Sequence, residues 1–206
     1  MKKTLIGAGA AALLALAAGC GGNDDDMSGM DMGQSGSSAP ATSATQAGHN
    51  DDDVAFAQMM IPHHQQAVDM AKMAVERATD PKVKNLASRI QGAQDPEIQQ
   101  MTNMLKTWGA PATPTMSSMP GMDMPGMEGM EGGMSDQEMR QLEQASGADF
   151  DRLWMEMMIK HHQGAVDMAK DELKNGSNAE AKALAQQIIN AQEAEITEMQ
   201  AMLDQQ

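Results

Sequence analysis

Two stretches, MMIPHHQQAVDMAK at 59–72 and MMIKHHQGAVDMAK at 157–170, are near copies of each other, aligned without a gap at an offset of 98 residues. They differ only at Pro62/Lys160 and Gln66/Gly164. Each copy sets two adjacent histidines behind two adjacent methionines. On a helix, Met60 then lies one turn before His63 and His64, and Met158 one turn before His161 and His162. Imidazole nitrogen and thioether sulfur are thereby offered together, with no thiolate. Such a donor set favours a soft ion, Cu(I) or its mimic Ag(I), over hard divalent cations.

The repeat extends beyond the motif. The same offset pairs Leu86 with Leu184, Ile90 with Ile188, Gln94 with Gln192, Glu97 with Glu195, Ile98 with Ile196, Met101 with Met199 and Leu105 with Leu203. Both halves are therefore expected to share one local structure.

The elements that must position these residues are helical. Phe56, Met60, His63, Ala67, Met70 and Ala74 fall on one stripe, predicting a helix from Asp51–Asp53 to about Ala78, with a bend or a restart at Pro62. Asp80 and Pro81 read as N-cap and first position of a second helix ending at Gly109. Ser135 to Glu138 forms a capping box opening a short helix that closes near Gly147. A further helix from about Asp149 carries Trp154 and the second motif to Asn175-Gly176. Ser177 to Glu180 reads as another capping box, opening a last helix to about Leu203.

Each tight turn joins two long helices into an antiparallel hairpin. Reflection about the turns brings Gln94 and Glu97 level with the first histidine pair, and Gln192 and Glu195 level with the second. A glutamate on an apolar stripe needs a partner, either a histidine or a bound cation, unless it lies at the rim in water. Met101, Met104, Met199 and Met202 read as core filling.

The start of the chain reads differently. Lys2 and Lys3 precede an apolar run from Leu5 to Ala18, and Leu16-Ala-Ala-Gly-Cys20 has the form of a lipoprotein cleavage box. The expectation is a signal peptide over 1–19 and a lipid-modified Cys20 that anchors the chain to a membrane of the cell envelope. An ordinary signal peptide with a chance cysteine is the alternative, and the run is shorter than the ~20 residues of a membrane span. Residues 20–50 read as a disordered tether in which His49 stands alone. Helical hairpin repeat 1 is placed at 51–109, a Met-rich flexible linker at 110–134, and the short helix plus hairpin repeat 2 at 135–206. Together 51–206 are expected to form one bundle domain.

Cys20 is the single cysteine, so the mature fold has no thiol for a disulfide or a thiolate site. The formal charge of −15 argues against a nucleic-acid partner and would draw cations. The 24 methionines are the strongest compositional signal. Met116, Met119, Met122, Met124, Met127 and Met130 crowd a Pro- and Gly-rich linker where there is no core for them to fill, and are expected to bind copper.

The doubled M-x-x-HH-Q-x-A-V-D-M-A segment, with Ala145-Ser-Gly-Ala-Asp-Phe150 leading into its second copy, resembles the domain of unknown function family number 305 over about 51–205. The resemblance implies a ferritin-like antiparallel four-helix bundle, an all-α fold, and a kinship with periplasmic proteins that bind copper and silver. Carried over position by position, it implies Met59, Met60, His63, His64 and Met70, with Met157, Met158, His161, His162 and Met168, as the ligand set. Pro62 departs from its repeat partner Lys160, so the two motifs need not have the same geometry.

The leading expectation is a non-enzymatic, exported lipoprotein that binds Cu(I) for buffering, tolerance or delivery, with a copper efflux or delivery protein as partner. Two other readings stay open. One is a metalloenzyme, a di-metal or cuprous oxidase using Glu97 and Glu195. The other is a structural bundle that docks on another envelope protein.

Overall fold

A computed structural model describes residues 48–113 and 130–205. The signal, the tether up to residue 47, including Cys20, and the linker methionines Met116, Met119, Met122, Met124 and Met127 lie outside the described residues. Five helices follow in order: α1 Asp51–Arg77, α2 Pro81–Trp108, α3 Asp136–Gln144, α4 Gly147–Asn175 and α5 Ala179–Leu203.

The helix ends follow the local chemistry. Asn50 caps α1 in a reciprocal box with Asp53. Asp80 caps α2 ahead of Pro81, and Gly109 closes that helix in the left-handed conformation at φ 69°. Ser135 and Glu138 form the box that opens α3, which ends at Ala145, two residues short of Gly147. The expected box at Ser177 is displaced by one residue. Asn178 is the N-cap of α5, accepting from the backbone N–H of Glu180 and Ala181, because Ser177 is held elsewhere, as described below. Pro62 neither breaks nor restarts α1, which is continuous through it. Its missing N–H leaves one helical bond unmade, but the buried positions on both sides keep the stripe intact.

The hairpins α1–α2 and α4–α5 pack against each other through α1 and α4, with α2 against α5 closing an antiparallel four-helix bundle. An approximate two-fold relation with the 98-residue offset organises it. Asp53, in the first turn of α1, crosses to the α4–α5 turn and accepts from the N–H of Ser177 at 3.1 Å, the Ser177 hydroxyl at 3.0 Å and the N–H of Asn178 at 2.9 Å. Its repeat partner Asp151, in α4, does the same at the α1–α2 turn, accepting from the N–H of Thr79 at 2.9 Å and of Asp80 at 2.8 Å. Each half thus ties down the turn of the other with a buried carboxylate. Burial works against the charge of Asp53, but donors from Asn50 and Asn178 outweigh it and hold the carboxyl below its usual range.

Two apolar clusters fill the bundle, one on each side of the histidines. One joins Met70, Leu86, Ile90, Phe150, Trp154, Met158 and Met199. The other joins Phe56, Met60, Met101, Met104, Leu184 and Ile188. Met101, Met104, Met199 and Met202 are core, as the sequence indicates. Trp154, fully buried, donates its indole N–H to the carbonyl of Met70 at 2.9 Å, which fixes the register of α1 against α4. Among the described residues no helix is long and apolar enough to cross a membrane.

Candidate metal centre

The helical stripes of α1 and α4 turn all four motif histidines inward, and each is fully buried. His63 and His161 meet across the two-fold relation, their ring centroids 3.7 Å apart and their planes tilted by 38°. The outer pair is backed by carboxylates. His64 donates from Nε2 to Glu97 at 2.7 Å, and His162 from Nε2 to Glu195 at 2.8 Å. Reflection about the hairpin turns placed these glutamates correctly. Gln94 and Gln192 are buried too, with side-chain amide atoms that make no hydrogen bond.

The inner pair is not symmetric. His63 donates from Nε2 to the carbonyl of Glu131 at 3.2 Å. Glu131 belongs to a strap, residues 130–134, that crosses α1 and α4. Gln66 clamps the strap by both ends of its amide, donating to the carbonyl of Met134 at 2.8 Å and accepting from its N–H at 2.8 Å. At the repeat partner of Gln66 the chain has Gly164, where a Cβ would stand 2.0 Å from the Glu131 carbonyl oxygen. At this position the two motifs therefore differ because one must grip the strap and the other must make room for it.

His161 makes no ring hydrogen bond of ordinary geometry, although it approaches the backbone of His63. Nδ1 is also unpartnered in His63, His64 and His162. A buried polar atom without a partner costs about 1–3 kcal/mol, so these nitrogens, concentrated at one level of the bundle, are open to a water or a ligand. The inner rings, His63 and His161, are held neutral, and a neutral imidazole supplies one lone pair. Burial, and then the neighbouring His64, push His63 down to about 3. Burial, followed by His63, His162 and His64, holds His161 well below the usual histidine value.

Among the described residues no three His, Cys, Asp or Glu side chains stand together in a ready coordination geometry. An ion at this level would draw on imidazole and on sulfur, which suits an ion content with two or three soft donors. Met60 and Met158, fully buried, lie one helical turn from the inner histidines but in opposite clusters. Met70 and Met157 belong to the Trp154 cluster. Met59 and Met168 line a separate cavity of about 190 Å3 in which no histidine takes part. The ten motif residues are thus not one cage. Met130, at the start of the strap, is partly buried against the cluster that contains Met60. His49 is not merely solvated; it stacks on Trp108 with centroids 5.0 Å apart.

Sequence reasoning missed the strap and the crossed carboxylates. The signal for the second was present, since the offset pairs Asp53 with Asp151 near the start of each long helix.

The family profile described as Domain of unknown function (DUF305) matches residues 53–203. An uncharacterized mimivirus protein, L153 of Acanthamoeba polyphaga mimivirus, is 43% identical over 54 residues, 26% of this chain, and the match spans only 36% of that relative's length. Among solved structures, a DUF305 protein from Streptomyces coelicolor, described as secreted, is 32% identical with a TM-score of 0.66, covering 75% of this chain and 91% of its own. CopM in its Cu(II)-bound form is 37% identical with a TM-score of 0.63, covering 74% of this chain and 96% of its own. CopM is also known in Cu(I)-bound, Ag-bound and apo forms.

Proposed function

The chain belongs to the DUF305 family, and from that premise we propose that it is an exported, non-enzymatic protein that binds Cu(I), or Ag(I) in its place, through buried imidazole and thioether groups. The observation that carries this reading is the close-packed His63–His161 pair, with uncharged rings and unpartnered nitrogens, in a thiol-free bundle. The copper- and silver-bound forms of the CopM neighbour support the same choice of ion.

In this reading each outer imidazole is oriented from behind. Glu97 and Glu195 fix the tautomer of His64 and His162 with the proton on Nε2, which leaves Nδ1 as the donor atom. Met60 and Met158 supply sulfur from opposite sides of the histidine level. The low proton affinity of His63 and His161 means that competition by protons sets in well below the ordinary histidine range. The glutamates that an oxidase would need as metal ligands are already engaged by histidine, which weighs against the di-metal reading.

The proposal extends to the rest of the chain as the sequence lays it out. A signal over 1–19, a lipid anchor at Cys20 and the linker methionines would hold the bundle at the envelope and gather metal near it for buffering or delivery to a partner. A Cu(I) titration of the mature protein against a competing chelator tests the reading. Tight binding that falls sharply when His63, His64, His161 and His162 are replaced is the expected result. Binding no tighter than that of the buffer would overturn it.

A further inference from the structure

The start of α1 and the end of α4 enclose the cavity of about 190 Å3 noted above, whose walls include Met59, Met168, Asp52, Asp171 and Glu172. Glu172 is only 2% exposed, yet neither of its carboxylate oxygens has a hydrogen-bond donor. It faces Asp53 at hydrogen-bonding range, and Asp53 is already taken up by donors from Asn50, Ser177 and Asn178. Two carboxylates facing each other are both acceptors, so a proton or a cation has to lie with them.

The fold itself does not ask for this arrangement. At the 98-residue offset the other half has Ala74 in place of Glu172 and Ala78 in place of Gly176. Gly176 has an ordinary backbone conformation, and its lack of a side chain has another reason. A Cβ there would lie 2.2 Å from Glu172 Oε1. One half of the repeat has thus acquired a buried carboxylate together with the space that holds it, while the equivalent crossed cap at Asp151 works without either.

We propose that Glu172, Met59 and Met168 form a second soft-cation site, separate from the histidines, with the exposed Asp52 and Asp171 lending negative charge to its mouth. Two thioethers select a soft monovalent ion over Mg2+ or Ca2+, which require a shell of oxygens. The single carboxylate neutralises the charge of that ion. This inference rests on the reading of the chain as a soft-metal binder and adds where a second ion is held. In the metal-free chain burial, and then Asp53, push Glu172 up to about 8, so a proton keeps the place and passes to solvent when the ion enters.

The test is a titration of the full mature chain, labelled with 13C at the methionine methyls, with silver nitrate in chloride-free buffer. Met59 and Met168 are assigned from their leucine variants. The two methyl signals should move together with one saturation curve, and Glu172→Gln, which keeps the size of the side chain, should weaken that curve at least tenfold. Met168→Leu should remove the response of Met59. Methyls of Met59 and Met168 that stay fixed while other signals of the chain respond, or a Glu172→Gln chain that titrates unchanged, would leave Glu172 as an acid sharing a proton with Asp53 and overturn the site alone. A chain in which no signal responds to silver would remove the soft-metal reading as well.

Discussion

His63 and His161 hold equivalent places in the two halves of the chain and pack against each other, ring centroids 3.7 Å apart and planes tilted by 38°, where those halves meet. A two-fold relation that passes between two imidazoles makes them one shared feature rather than two separate motifs. The difference between the halves at Gln66 and Gly164 serves the strap that covers one side only.

Holding these rings neutral makes the metal-free bundle sensitive to acid. The unfolded chain protonates its histidines near 6.5 whereas folded His63 resists down to about 3, so stability is lost as pH falls through that window. The loss is about 2 kcal/mol per such imidazole at pH 5 relative to pH 7. Glu172 acts in the opposite sense over the same range, so the difference between the chain and its His63→Gln variant in urea unfolding isolates the effect. The variant is expected to lose less stability than the parent between pH 7 and 5; parallel losses would contradict the neutral pair.

Glu172 brings a separate dependence at high pH. Its folded value is raised from 4.5 to about 8, so the stability it allows at low pH is lost as pH rises through about 8. Thermal unfolding of the metal-free Glu172→Gln chain should match the parent at pH 5 and exceed it by several degrees at pH 9. Equal melting temperatures at pH 9 would show that the carboxylate is not confined with Asp53.

The crossed carboxylates are expected to carry much of the stability of the pairing between hairpins. Asp151→Asn removes a charged acceptor from three donors on Thr79 and Asp80, at a cost of about 3 kcal/mol in denaturant unfolding. Amide exchange of Thr79 and Asp80 should accelerate together. A loss below about 0.5 kcal/mol, the scale of an ordinary surface change, would refute the role.

Much of this was legible before any coordinates. Asp80-Pro81, Gly109 and Ser135 with Glu138 mark helix ends by local chemistry alone, and the repeat with its tight turns placed Glu97 and Glu195 beside the histidines. Contacts that cross between halves were not legible. Ser177 looks like a capping residue from its neighbours, but its N–H and hydroxyl are claimed by Asp53, more than a hundred residues earlier, and the cap passes to Asn178. Gly164 looks like a simple departure from the repeat until the Glu131 carbonyl is seen against it. Periodicity shows which face of a helix is buried; it does not show what lies on that face.

Gly164 gives a sharp test of the strap. Gly164→Ala would set a Cβ 2.0 Å from the Glu131 carbonyl oxygen, and overpacking of that kind costs about 1–3 kcal/mol. The strap should lift, with faster proteolysis at 130–134 and a changed 15N shift of His63 Nε2 as its hydrogen bond to Glu131 is lost. Replacing Gln66 with Ala should reproduce the His63 change without the clash. Unaltered His63 signals in both variants would count against the strap as a cover for the pair.

The central claim is that His63 and His161 hold a soft ion between the two halves. The most direct measurement follows the 15N signals of the four motif imidazoles while the mature chain takes up Ag(I) in chloride-free buffer. The account requires the ring nitrogens of His63 and His161 to shift markedly at the first equivalents, with the Met60 and Met158 methyls moving in step. Imidazole signals that remain in place while methionine signals elsewhere in the chain saturate would contradict it.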